Sequence, residues 1–377
     1  MFVTLALCLL PLAAQAPAPQ AAAPEDVPDL MRLLLNRPPP PEPTYPIERR
    51  SILPTFGASP AAGFSFGVLS SETSQSSPTG PTSVANLSAS YSTKRRLVVA
   101  ARLDRHGGEG VWRLFGDWRY YNFTERTYGL GSDTNIDESL DAPQRWGRAH
   151  ATLFYRLAGP FAAGVGYHLD ARQLHDISTA DFGLENRLTF ASGISANALF
   201  DSRDSPVNAS RGWYARASYL WMPRQLGSER SWESFQSEGR GYFRLPADRR
   251  HVIAVWGIAW LTTRGDATYF DLPSTGWDLY GRTARGYAAG RYRGRGWLYG
   301  EAEYRFDLMR GGLLGAVVFA NASRFSDFGD DYGRWAPAGG IGFRLKLDKR
   351  SGANLAIDYG WGLQGSRGFF LSMNEAF

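Results

Sequence analysis

The chain has 377 residues, of which 44% are hydrophobic, 20% charged and 14% aromatic, with 42 glycines, one cysteine and a formal net charge of +5. Its 12 Trp, 18 Tyr and 22 Phe exclude a chain disordered throughout, and the lone Cys8 excludes a disulfide scaffold or a Cys-based zinc site. Beyond the N-terminus no apolar run reaches about 18 residues, which excludes a bundle of membrane-spanning helices and leaves a β-rich soluble protein or a membrane β-barrel.

The apolar run Phe2–Leu12, followed by Ala13-Ala14-Gln15-Ala16, reads as a secretory signal, taken here as residues 1–23 with Cys8 inside it. Residues 24–50 read as a periplasmic linker. Most of the 22 prolines precede residue 61, and Pro38–Pro41 enforces polyproline geometry. Within the linker, Asp29–Asn36 has the pattern of two helical turns. A tether is the reading preferred over a plug.

From Ser51 to Phe377 the period is two. In Trp297–Leu308, the positions Leu298, Ala302, Tyr304, Phe306 and Leu308 form one face, while Glu301, Glu303, Arg305 and Asp307 form the other. Ala353–Gln364 repeats this, with Leu355, Ile357, Tyr359, Trp361 and Leu363 opposite Asn354, Asp358 and Gln364. Prolines after residue 60 fall between such runs or at their ends, as a donor-less residue should. The runs predict sixteen strands, near 52–58, 62–72, 83–93, 95–105, 111–122, 144–157, 160–173, 193–202, 211–222, 232–245, 251–264, 297–308, 312–325, 337–348, 353–364 and 368–377. Connections after even strands are short, apart from 70–82. Those at 124–143, 174–191 and 265–296 are long, which is the asymmetry of an outer-membrane barrel. A soluble sandwich accounts less well for a line of charges on one face and Trp and Tyr on the other. The expected fold is therefore all-β: a sixteen-stranded antiparallel transmembrane β-barrel over residues 51–377. The loop between strands 11 and 12 is expected to fold toward the lumen, because its Arg282, Arg285, Arg291, Arg293 and Arg295 can pair there with the inward Glu301, Glu303 and Asp307.

Four segments then resemble the BamA/TamA family of outer-membrane assembly barrels, also described as bacterial surface antigens. Arg285-Gly286-Tyr287, within GRTARGYAAGRYRGRG, is similar to the family's RG(F/Y) loop motif and is followed by the strand EAEYRFDL. DSRDSPVNASRGWY, with Asp201, Arg203, Asp204 and Gly212, is similar to its D-x-R-D turn, Ala209 standing where Pro is usual. Residues 338–377 resemble its closing strands, including Asp358-Tyr359-Gly360 and the terminal Phe377, a C-terminal strand signal. Tyr128-Gly129-Leu130-Gly131 is similar to an upstream loop signature. The order of these motifs matches the family.

The resemblance implies that Arg285 is held in the lumen by Glu303 and by Asn321. Asn321 stands where the family has Asp, and so accepts a hydrogen bond from Arg285 without charge assistance. It implies a weak lateral seam between the first and last strands, and the short first strand 52–58 fits that. Residues 24–50 are too few for a POTRA domain, so a barrel-only form is expected. The expected role is assembly, insertion or translocation of outer-membrane components in the Gram-negative outer membrane. Expected partners are outer-membrane lipid and lipopolysaccharide, client outer-membrane proteins and a separately encoded periplasmic protein. The alternatives are a passive pore and an anchor for that periplasmic partner.

Other constellations carry less. His106, His150, His168, His175 and His251 lack metal spacing. Asp133-x-Asn135-x-Asp137 lacks the Gly and Glu of a calcium loop, and Asp327, Asp330 and Asp331 read as a solvated loop. No Ser/His/carboxylate set can be assigned, so neither an enzyme, a metal nor a cofactor is expected. Export and the spread of Arg along lumen faces oppose a nucleic-acid partner.

Overall fold

A computed structural model describes residues 24–38, 44–59, 63–177, 184–247, 249–278, 281–326 and 332–377. The segment read as a signal, 1–23, and Asp327, Asp330 and Asp331 lie outside these. One helix, α1 (Val27–Leu34), precedes sixteen strands. The first eight are β1 Ile47–Ser59, β2 Gly63–Gln75, β3 Thr82–Ser92, β4 Leu97–Gly107, β5 Trp112–Thr127, β6 Leu140–Ala158, β7 Phe161–Leu174 and β8 Leu188–Asp201. The other eight are β9 Gly212–Met222, β10 Trp232–Arg244, β11 His251–Gly265, β12 Gly296–Asp307, β13 Leu314–Ser326, β14 Ala336–Asp348, β15 Ala353–Gly362 and β16 Arg367–Met373. They form one antiparallel sheet in sequence order, so every neighbour is reached by a hairpin. Among the described residues no helix is long and apolar enough to cross a membrane.

Alternation sorts the side chains. Trp118, Tyr155, Val165, Ile194, Trp221, Tyr304, Val318, Phe343, Ile357 and Phe369 are exposed on the outer face. The inner face buries Arg113, Asp117, Arg172, Arg240, Glu301, Glu303, Arg305 and Arg344. That pattern suits a sheet with lipid outside and a polar interior. The sheet is rolled: Asn86 of β3, Asp104 of β4, Phe115 of β5, Arg240 of β10 and Phe377 line a single cavity of about 70 Å³. Among the described residues no ladder joins β1 to β16, so these are the two edges of the sheet.

The strands depart from the sequence reading in three places. β1 starts at Ile47, inside the stretch read as linker, and pairs with β2 along its whole length from Ile47↔Gln75 to Ser59↔Gly63. The strand predicted to be short is thus a full one, because the polar run Glu48–Ser51 finds an equally polar partner in Ser71–Ser74. The long connection expected at 70–82 shrinks to 76–81. β6 and β14 extend past prolines: Pro143 pairs with Thr124, and Pro337 with Ala322. Each is tolerated because one flank is unpaired there. The β6–β7 ladder begins only at Gln144 and the β14–β15 ladder at Ala338, so no bond is lost on that side. Pro54 obeys the same rule within the edge strand β1.

The third departure concerns the C-terminus. β16 stops at Met373 rather than running to Phe377. Asn374 takes a φ of 69°, a conformation Asn tolerates better than most residues, and sends the last residues into the lumen. Phe377 is therefore not a lipid-facing strand terminus. It is buried, with its ring 5.0 Å from that of Trp256 and 6.3 Å from that of Tyr242.

Candidate functional site: an ion-paired loop and tail inside the barrel

The loop after β11 (266–295) enters the lumen and is fastened along its length. Arg293 Nη2 donates to Glu125 Oε1 of β5 at 2.6 Å, and the Trp277 indole N–H donates to the same oxygen at 2.9 Å. Arg291 donates to Thr134 Oγ1 of the β5–β6 loop (2.7 Å) and to Gln364 Oε1 of the β15–β16 turn (2.6 Å). The Tyr287 hydroxyl donates to Pro337 O (2.6 Å) and accepts from Leu363 N (3.0 Å), which ties the loop to β14 and the end of β15.

At the centre lies Arg285, 2% exposed. Its Nη2 donates to Glu301 and Glu303 of β12, and its Nη1 donates to Asp358 Oδ2 of β15 at 2.6 Å. The guanidinium also stands 3.8 Å from the centre of the Phe319 ring. Gly286 makes this placement possible. Its φ is 116°, and a Cβ there would stand 2.8 Å from Ala338 Cβ and 3.0 Å from the Trp361 carbonyl.

The network continues outward from these carboxylates. Arg305 Nε donates to Glu303 Oε2 at 2.6 Å, and Arg344 Nη1 to Asp358 Oδ1 at 2.6 Å. Arg344 Nε and Asn354 Nδ2 then donate to the two Glu375 oxygens at 2.7 and 2.8 Å. Arg305 Nη2 donates to Phe377 O at 3.0 Å, while Arg282 of the loop donates to the Met373 and Glu375 carbonyls. The loop and the C-terminal tail are thus one buried, charge-assisted unit. Such a unit is secure when complete, and costly when one partner is removed. The tail also crosses the gap between the edges: Asn374 Nδ2 donates to Ser71 Oγ of β2 at 3.5 Å.

The turn motif lies at the opposite rim. Asp201 Oδ1 and Oδ2 accept from Arg203 Nε and Nη2, both at 2.8 Å, and Oδ2 also accepts from Arg113 Nη1 at 2.8 Å. Asp204 accepts from Ser210 N (2.9 Å) and Arg211 N (3.2 Å), closing the turn. Gly212 has a φ of 97°, and a Cβ there would meet Ser202 O at 2.3 Å. The turn folds under the lumen. Val207 and Ala209 are buried, Ala209 packs in the cluster that holds Trp256 and Phe377, and Asn208 Nδ2 donates to Gly352 O on the β14–β15 turn at 3.4 Å.

Of the residues expected from sequence, Arg285, Gly286, Tyr287, Glu303 and Asn321 come together, while Asp201, Arg203, Asp204 and Gly212 form a separate turn. The direction of the Asn321 contact is reversed. Its Nδ2 donates to the Arg285 carbonyl at 3.0 Å, so it fixes the loop backbone and does not accept from the guanidinium. The charge that Asn321 lacks comes from Glu301 and Asp358, both visible in the sequence as inward positions but not assigned to Arg285. The tail contacts of Glu375, Arg282 and Arg344 have no signal in the sequence, which reads as one strand through to Phe377. His150 and His168 do line the lumen, their rings 4.5 Å apart, with His150 Nε2 2.6 Å from Asp170 Oδ2. Asp133 is engaged by Arg334 Nε at 2.6 Å. That hydrogen bond holds the exposed carboxyl below the usual range.

This architecture has known counterparts. BamA from Haemophilus ducreyi lacking POTRA domains 1–3 superposes with a TM-score of 0.54 at 14% identity, over 86% of this chain and 69% of that one. The fold is that of a BamA-type barrel. CdiB from Acinetobacter baumannii (TM-score 0.52, 13% identity, 87% of this chain) and CdiB from Escherichia coli (0.56, 12%, 88%) share it. The chain spans 59% and 63% of the length of those two CdiB structures. No protein-family description and no curated protein matches the sequence.

Proposed function

We propose that this chain is a barrel of the Gram-negative outer membrane that assists the assembly, insertion or translocation of outer-membrane components through the seam between β1 and β16. The observation that carries the proposal is the asymmetry of that seam. β1 offers a ladder edge from Ile47 to Ser59, whereas β16 ends at Met373 because Arg282, Arg305 and Arg344 hold the tail inside. A long unpaired edge facing a short one is a template for an incoming strand. The BamA and CdiB likeness supports this class of role; outer-membrane lipid, lipopolysaccharide and client barrels are the partners that the proposal names. A separately encoded periplasmic protein is a further partner of this reading.

A passive pore is less well supported. The loop and the tail occupy the lumen, the Asp201–Gly212 turn folds under it, and a cavity of about 170 Å³ beside the loop is lined by Trp146, His150, His168, Trp256 and Trp277. The test is folding of an unfolded client barrel into vesicles that contain this protein, its Arg285→Ala variant or no protein. Acceleration that Arg285→Ala reduces supports the proposal. Ion leakage through wild-type vesicles without acceleration overturns it in favour of the pore.

A further inference from the structure

Helix α1 reverses the usual arrangement of an amphipathic helix on a protein. Its polar side faces the barrel. Lys349 N, on the β14–β15 turn, donates to Asp26 Oδ2 at 2.9 Å, and Lys349 Nζ donates to Asp29 Oδ2 at 2.7 Å and pairs with Glu25 at 3.1 Å. The apolar residues are left open: Met31, Leu33, Leu34 and Leu35 are 48%, 52%, 70% and 54% exposed. The i, i+3, i+4 spacing of Met31, Leu34 and Leu35 puts them on one face. A helix normally buries such a stripe. Here the acidic end docks and the leucines are presented to the surroundings, so something apolar covers them.

Two observations choose the cover. The first is continuity with the outward band of the barrel: α1 packs at β14, whose exposed Ile341 and Phe343 are followed by Ile357 on β15 and Leu371 on β16. The second is charge. Arg37 at the end of the helix and Arg350 beside Lys349 are exposed cations at the same rim, suited to anionic head groups beside an apolar face. We propose that α1 is an interfacial foot. It lies in the head-group region of the leaflet at the short-turn rim, with Met31, Leu34 and Leu35 at the acyl boundary and anionic phospholipid as its occupant. The inference rests on the membrane reading of the barrel. It places a lipid-contacting element two strands from the open edge at β16.

The test uses the whole chain in a Cys8→Ser background, reconstituted in phosphatidylethanolamine/phosphatidylglycerol vesicles. An environment-sensitive label is placed at Leu34→Cys, at Phe343→Cys on the outward band, or at Asp133→Cys on a long loop. Brominated acyl chains are expected to quench the labels at 34 and 343 but not at 133. Iodide quenching at 34 should fall at least about threefold between detergent and vesicles, and replacing phosphatidylglycerol with phosphatidylcholine should reverse part of that fall. Lipid quenching at 343 together with full iodide access at 34 overturns the foot while leaving the barrel in the membrane. Absence of lipid quenching at 343 overturns the membrane reading and the foot with it. Shielding at 34 that tracks protein density, and not lipid composition, also overturns the proposal, because a second copy is then the cover. Leu34→Glu with Leu35→Glu, in a barrel that still resists unfolding in detergent, should abolish shielding of a label at Met31→Cys.

Discussion

The two edges of the sheet are built differently. β1 is long, its inner neighbours on β2 and β3 are small uncharged residues such as Ser71, Thr73 and Ser92, and its cross-strand ion pair, Arg50–Glu72, is exposed. β16 is short and stands beside a lumen wall crowded with Glu301, Glu303, Arg305, Arg344 and Asp358, all buried and paired. The difference teaches that the loop and tail belong to the C-terminal half of the barrel. Rigidity is concentrated where charges are sheltered from water, and the N-terminal edge is held chiefly by its backbone ladder.

Substitutions can break this contrast in a ranked way. Arg285→Ala should have the largest effect, costing about 3 to 5 kcal/mol because it leaves Glu301, Glu303 and Asp358 buried without their cation. The unfolding midpoint in urea with detergent-folded barrel checks this, and Arg285→Lys should rescue little, since one ammonium cannot replace a planar fork. Gly286→Ala should cost about 2 to 3 kcal/mol, through its left-handed backbone and the contact with Ala338, with the same readout. Glu375→Gln should cost about 1.5 kcal/mol by weakening the charge-assisted hydrogen bond it accepts from Arg344 and its looser charge pairing with Arg305, 3.9 Å away. Its clearer sign is faster proteolysis at the C-terminus while the barrel stays folded.

Smaller effects sharpen the comparison. At the helix foot, burial alone would raise the Asp29 pKa, but hydrogen bonds from Lys349 and Arg32 hold it below its ordinary value. The bond to Asp29 raises that of Lys349. Docking through Asp29 is therefore complete above the ordinary carboxylate range and lost as pH falls through the lowered value, and docking through Lys349 is lost as pH rises through its raised value. Amide exchange of α1 should be slowest between about pH 4 and about pH 10, after correction for intrinsic rates. Arg50→Ala should leave the unfolding midpoint unchanged, as an exposed pair predicts. A midpoint shift as large as that of Arg285→Ala would remove the contrast between the edges.

Much of this is legible in the sequence. Alternation alone put Glu301, Glu303, Arg305 and Asp358 on the inner face and Leu298, Tyr304 and Ile357 on the outer one, because a strand offers only two sides. The loop motif pointed to Arg285 and to Glu303, which the guanidinium meets. The donor role of Asn321 and the additional carboxylates were not legible, since an inward position says nothing about which of several strands a long side chain will meet. The inward turn of Phe377 was hidden for a similar reason: its apolar ring suits lipid and lumen alike.

The sequence by itself determined the strand count and the facing of each strand, since periodicity is a local property, and its arginine-rich 266–295 loop carried the charge that the inward carboxylates attract. Tertiary structure decided how far β1 runs, where β16 ends, and which charges close the network. Those outcomes depend on partners far apart in the chain, such as Arg285 with Asp358 and Arg344 with Glu375, whose energies exist only once the rolled sheet has excluded water around them.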